Sequence, residues 1–192
     1  RPDDFTLFCE EQNWWLDDFA LFMALKSHYG GKPWSSWPQE LRDRDWQALQ
    51  SAKAELQEEH EKQEFLQYLF FKQWFTLKTY CNQRGIKIIG DMPIYVVHDS
   101  AEVWVHPRLF ILDHEKMPSV VAGVPPDYFS ETGQLWGNPV YRWDAFMQTG
   151  YDWWIRRVRH NLSCFDLVRV DHFRGFIAFW EIPAREKTAI HG

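Results

Sequence analysis

The stretch DLVRVDHFRGF, Asp166–Phe176, decides how this chain is read. Leu167, Val168 and Val170 form a short apolar alternation that runs straight into a carboxylate, Asp171, set among Arg169, His172 and Arg174. A strand that ends in a charge cluster is what an α/β enzyme places at the carboxyl end of its sheet, where active sites form. Arg169 and Asp171 are two residues apart, so on a strand they point the same way. A cation beside a carboxylate lowers its pKa and keeps it ionised. An ionised, oriented carboxylate is what covalent catalysis needs.

Working outward, Tyr151–Leu162 carries Trp154, Ile155, Val158 and Leu162 on one helical stripe before a strand at Phe165–Val170. An earlier copy of this unit is visible. Glu61–Arg84 repeats Phe65, Leu66, Leu69, Phe70, Trp74 and Leu77 at helical spacing, and Gly85 ends it. Ile86–Gly90 follows as a short, β-branched apolar run, read as a buried strand closed by Asp91. Ile177–Ile182 starts a third strand. Two αβ units without a hairpin signal predict a parallel sheet. Residues 1–30 read as an aromatic-rich helix broken at Gly30-Gly31, residues 31–45 as a loop, and residues 46–60 as a solvated helix. Between the first two strands, residues 99–147 hold a short helix at Ser100–Val105 and then a long irregular segment. Loops of that length in compact domains are usually functional. No domain boundary is placed within residues 1–192.

Composition narrows the function. The chain has 192 residues and a formal net charge of −6, from 27 acidic and 21 basic side chains. That balance argues against a nucleic-acid surface and against an anionic membrane surface. No apolar run is long enough for a spanning helix. Cys9, Cys81 and Cys164 lie far apart in apolar surroundings, as buried reduced thiols do, which fits a reducing compartment. The eight His are scattered, with no HExxH and no CxxC, and neither GxGxxG nor a P-loop is present. No metal and no cofactor is expected. Aromatic content is high, with 12 Trp, 15 Phe and 7 Tyr; sugars stack their C–H faces on such rings, while the plainer reading makes most of them core.

Several segments together resemble one family, the 4-α-glucanotransferases (amylomaltases) of glycoside hydrolase family 77. They are WWLDDFALFMALKSHYGGKPWSSWP from Trp14, IIGDMPIYV from Ile88, DSAEVW from Asp99, AGVPPDYFSETGQLWGNPVY from Ala122, DLVRVDHFRGF, and FWEIPA from Phe179. The resemblance covers nearly the whole chain, in the family's order. It implies part of a TIM (β/α)8 barrel with a long inserted loop region. A complete barrel takes roughly 250 residues, so the chain is expected to be an internal fragment of a catalytic domain. The implied substrate is an α-1,4-glucan or maltooligosaccharide, and the implied location is the cytoplasm, or the plastid in a plant or alga.

The resemblance implies roles for single residues. Asp171 becomes the nucleophile of a retaining transfer through a covalent glycosyl-enzyme. Arg169 orients it, and His172 donates to a sugar hydroxyl. Asp91 shapes the subsite of the cleaved sugar, with Tyr95 near it. Asp127 and Phe129 sit at the tip of a loop over the cleft, and Trp136 lines its acceptor side. The acid/base Glu and a third carboxylate are expected beyond Gly192; Glu181 and Glu186 fit neither place. Plainer readings exist for each: an architectural Arg169–Asp171 pair, a structural His172, a turn-forming Asp91 before Pro93, and an Ω-loop at Gly123–Tyr141 packed by its own rings. Two rival functions also stand, an α-glucan hydrolase of the same clan and a non-catalytic carbohydrate-binding domain. The latter predicts a β-sandwich pattern, which the αβ alternation opposes.

Overall fold

Parallel pairing joins the two segments that the helix–strand alternation marks. In the computed structural model, which describes residues 2–192, strand β1 (Ile89–Pro93) runs beside β4 (Leu167–Asp171) in the register Ile89↔Leu167, Asp91↔Arg169, Pro93↔Asp171. β1 starts later than the apolar run Ile86–Gly90 predicts, because the Asp166 carboxylate accepts the Ile88 N–H at 2.8 Å and takes that position out of the ladder. Asp91 therefore lies inside β1 rather than closing it. The strand is also open on one side. Gly90 and Met92 are buried, while Ile89, Asp91 and Pro93 face solvent together with Leu167, Arg169 and Asp171. A Cβ on Gly90 would stand 2.2 Å from the Phe165 ring, so the close approach of that ring requires glycine.

A second sheet is antiparallel, where the sequence predicts only parallel pairing. It has the order β3–β2–β5, with β2 at Val120–Val124, β3 at Gln134–Pro139 and β5 at Trp180–Pro183. Two of its strands come from the segment read as irregular. The third is the Ile177–Ile182 strand, which pairs antiparallel with β2 instead of extending the parallel sheet. Val121, Ile182 and Ala189 form its core under Trp180, whose indole N–H donates to Ala189 O at 2.9 Å.

The described residues divide into two compact units, the chain through Ile86 with Asp99–Val105, and Lys87–His98 with His106–Gly192. The first is helical. α1 (Asp3–His28) and α4 (Gln57–Asn82) pack as an antiparallel pair, with Phe5 against Phe65 and Tyr68, Phe8 against Tyr68 and Phe71, and Trp15 against Phe71. Edge-to-face contacts of this kind add to the area that each ring buries. Polar knots hold both ends of the pair, Lys72–Asp4 at 2.8 Å and His60–Asp17 at 3.1 Å. The His60 hydrogen bond pulls the Asp17 carboxyl down to about 2, with Lys53 assisting.

Between these helices, Trp34–Ser36 forms a 3-10 turn, Gln39–Arg42 a short α2, and Trp46–Glu55 helix α3. α4 thus begins at Gln57, earlier than the apolar stripe suggests, because the polar turns before Glu61 are helical too. α5 (Ala101–Val105) adds the buried Trp104 to a ring cluster with Phe22 and Trp37. Of the three cysteines, Cys164 is buried and Cys9 and Cys81 are half-buried, which corrects the expectation for the latter two. No helix among the described residues is long and apolar enough to cross a membrane.

The second unit completes its α/β layering with α6 (Trp143–Gln148) and α7 (Asp152–Cys164), the latter in contact with both β1 and β4.

Candidate active site

Register assembles the charged centre. Asp91 and Arg169 face each other across the two strands, and Asp171 lies two residues further on the same side of β4. The Arg169 guanidinium forks onto Asp91, with Nε donating to Oδ1 at 3.0 Å and Nη2 to Oδ2 at 2.9 Å. Nη2 also donates to Asp171 Oδ1 at 3.2 Å. Planar, two-point pairing of this kind fixes orientation as well as charge. The Asp91 hydrogen bonds, then the charges of Asp91 and Asp171, raise the Arg169 pKa above its usual value.

The two carboxylates are used differently. Asp91 spends both oxygens on Arg169. Asp171 spends one, and its Oδ2 has no hydrogen-bond partner among the described residues. All three side chains are roughly 60% exposed on an open face. Asp171 is therefore held from one side and open to solvent on the other.

The backbone turns sharply after Asp171. His172 adopts a left-handed conformation with φ 54°, which is strained for a non-glycine residue. Gly175 N–H to His172 O at 2.9 Å closes the turn, and a Cβ on Gly175 would stand 2.6 Å from Ile94 Cδ1. Trp136, at the middle of β3, meets the His172 ring edge-to-face at 4.8 Å. Trp136 also leans on Tyr95, which stacks in turn on Tyr141 at 5.6 Å. Tyr95 is buried, and that burial pushes its hydroxyl up to about 12. With one face on Tyr141 and the other side against Trp136, Tyr95 serves as a backing ring.

The structure brings Asp91, Arg169, Asp171, His172, Trp136 and Tyr95 together. Asp127 and Phe129 sit on the turn joining β2 to β3, and no hydrogen bond, ion pair or ring contact among the described residues ties them to Asp171. Asp127 Oδ1 accepts the backbone N–H groups of Phe129 and Ser130, each at 2.9 Å. This Asx-type capping folds the turn and throws Tyr128 and Phe129 outward, 97% and 93% exposed.

For a metal, the one grouping of candidate ligands among the described residues is Asp17, His60 and Glu64 in the helical unit. Lys53 is already paired with Asp17 there, so the grouping reads as an ion-pair knot between helices. Arg157 and Tyr141 belong to the same frame without a sequence signal of that role. Arg157 donates to Pro93 O and Ile94 O, and the Tyr141 hydroxyl donates to Ile94 O at 2.6 Å. Nothing in the run Arg156, Arg157, Arg159 singles out the middle residue.

Comparison with known proteins bears on the family. The family described as 4-alpha-glucanotransferase, glycoside hydrolase family 77, matches residues 1–192. A 4-alpha-glucanotransferase of Thermus thermophilus is 58% identical over 188 residues, 98% of this chain and 38% of that protein. One from Aquifex aeolicus is 51% identical over 185 residues, 96% of this chain and 38% of that protein. A solved amylomaltase of Streptococcus agalactiae, in complex with acarbose, superposes with a TM-score of 0.94 at 47% identity, covering 98% of this chain and 38% of that one. The chain thus spans about 38% of the length of these relatives.

Proposed function

Because the chain belongs to the 4-alpha-glucanotransferase family, glycoside hydrolase family 77, we propose that it carries the nucleophile half of a retaining α-1,4-glucan transfer. β1 and β4 are then neighbouring strands of a (β/α)8 barrel. Their open face supports this. The pair Ile89 and Leu167 lies at its base and the charges at its carboxyl end, the layering of a barrel interior with the reaction at the top.

The observation that carries the proposal is the asymmetry of the two carboxylates on one guanidinium. Asp171 Oδ2 attacks the anomeric carbon of a maltooligosaccharide, and the C–O bond to the leaving sugar breaks. The leaving oxygen takes its proton from a carboxylic acid outside these 192 residues. The 4-hydroxyl of an acceptor sugar then attacks the glycosyl-Asp171 ester and gives its proton to that same group. Asp171 is released as carboxylate, and the configuration is retained. Arg169 keeps Asp171 oriented through both steps, and Asp91 holds Arg169. His172 and Trp136 line the sugar's path.

Transfer requires that water lose to a sugar hydroxyl. The exposed rings of Tyr128 and Phe129 on the β2–β3 turn suit a cover over a bound glucan chain. The acarbose bound to the Streptococcus agalactiae relative fits a glucan site of this kind. The test uses the complete polypeptide with maltotriose, followed by chromatography. Glucose together with a ladder of longer maltooligosaccharides is the expected outcome. Glucose and maltose alone would replace the transferase reading with a hydrolase.

A further inference from the structure

Beyond Pro93 the segment leaving β1 has no strand beside it, yet its carbonyls are not left to water. Arg157 on α7 takes two of them, Pro93 O at 2.5 Å through Nη2 and Ile94 O at 3.3 Å through Nη1. Arg157 Nη1 also donates to the Tyr141 hydroxyl at 3.1 Å, and that hydroxyl donates to Ile94 O at 2.6 Å. Asn138 Nδ2 takes Val96 O at 3.0 Å. Carbonyls of Pro93, Ile94 and Val96 are thus claimed by side chains from α7 and from the segment after Trp136. The Arg157 guanidinium is itself seated over Trp153 and Trp154, at 5.2 and 5.1 Å from their rings.

What this clamp holds is the frame of the site. Asp91 is two residues before Pro93 on the same strand. Tyr95 follows Ile94, backs Trp136, and so sets the ring against which His172 rests. Gly175, in the turn after Asp171, packs directly on Ile94. A shift of the Pro93–Val96 segment moves Asp91 on one side and the His172 turn on the other.

We propose that Arg157 is a positioning residue of the reaction: with Tyr141, it fixes the end of β1 and through it the relation of Asp91 and His172 to Asp171. It touches no substrate. The inference rests on the reaction assigned above. Lysine keeps the charge and loses the fork, so it cannot hold two carbonyls and a hydroxyl in one plane. Misplacing a reacting group by about an ångström costs on the order of 100-fold in rate.

The test compares Arg157→Lys and Tyr141→Phe with Arg156→Gln, a surface control on the same helix, all in the complete enzyme acting on maltotriose. Arg157→Lys is expected to lower kcat by about 10- to 100-fold with KM within about threefold, and Tyr141→Phe by less. Amide exchange in residues 94–98 should rise while the α1–α4 pair stays protected. The double variant should lose less than the product of the single losses, because both side chains serve Ile94 O.

An Arg157→Lys enzyme with kcat within about twofold of the parent would overturn the proposal, whatever its exchange pattern. So would a kcat loss that only follows loss of folded protein, read by circular dichroism and Tm. A parent that releases glucose without building longer chains would sink the transfer reading alone, since hydrolysis also passes through Asp171 and the same kcat comparison applies. A folded but inactive parent would sink both.

Discussion

In the proposed reaction, the two sheets of the second unit contribute in opposite ways. β1–β4 is parallel, and its register alone sets Asp91 opposite Arg169 and Asp171 beside it. β3–β2–β5 is antiparallel, and its contribution sits off the ladder, on the turn that Asp127 folds. Charges placed by register move only if a strand slips, and a slip of one residue turns each side chain to the other face. Rings placed on a turn move with the turn. A reaction of this type needs both behaviours: a nucleophile that does not wander, and a cover that admits a long chain and then excludes water. Each sheet also has one glycine that its neighbour makes obligatory. A Cβ on Gly90 would meet the Phe165 side chain, and one on Gly123 would meet backbone, the Gln134 carbonyl oxygen.

The sharpest way to break this contrast is to compare one aspartate from each sheet. If Asp171 is the proposed nucleophile, Asp171→Asn should leave a folded protein whose transfer rate is lower by about 10³-fold or more. Asp127→Asn should remain within a few-fold of the parent, because the amide oxygen still accepts both backbone N–H groups. Equal losses at the two positions would show that Asp127 acts by charge on the substrate and not by folding the turn. Arg169→Lys comes next. A point charge cannot hold Asp91 at two points and Asp171 at a third, and a loss of about 10²-fold in kcat is expected. A lysine enzyme at full rate would mean that charge suffices and the fork is incidental.

The glycines give a smaller effect, read in stability. Gly90→Ala should lower stability by about 1–3 kcal/mol, and Phe165→Leu should recover part of it, since the obstruction is a side chain. Gly123→Ala should not be recovered by trimming Ile182, because backbone stays in the way. Urea unfolding of the four proteins decides it, and matching rescue at both sites would erase the distinction. Smallest of all, Phe129→Ala should leave folding unchanged, the ring being 93% exposed, and shift products by a few-fold toward free glucose. An unchanged product ratio would remove Phe129 from the cover.

The parallel pair was legible because helix and strand periods differ and because two-residue spacing fixes a face. Asp171 and Arg169 follow from that spacing directly. The start of β1 was not legible, since it turns on one side-chain bond from Asp166, remote in sequence. The antiparallel sheet was hidden for another reason. Its strands are short and hold Gly123, Gly137 and Pro139, and residues 125–133 form a turn far longer than the two-residue hairpins that sequence announces. The burial of Tyr95 was not legible, because it depends on Tyr141, which only the fold brings against it. Burial of Cys164 follows from its apolar neighbours, but the same neighbours do not guarantee full cover in space for Cys9 and Cys81.

The most direct measurement of the central claim is the site of covalent attachment. The complete enzyme is mixed with an α-maltosyl fluoride donor, quenched in acid, digested and examined by mass spectrometry. A maltosyl increment on the peptide containing Asp171, absent from the Asp171→Asn protein, is the predicted result. The same increment on Asp91, or its persistence after Asp171→Asn, would contradict the account.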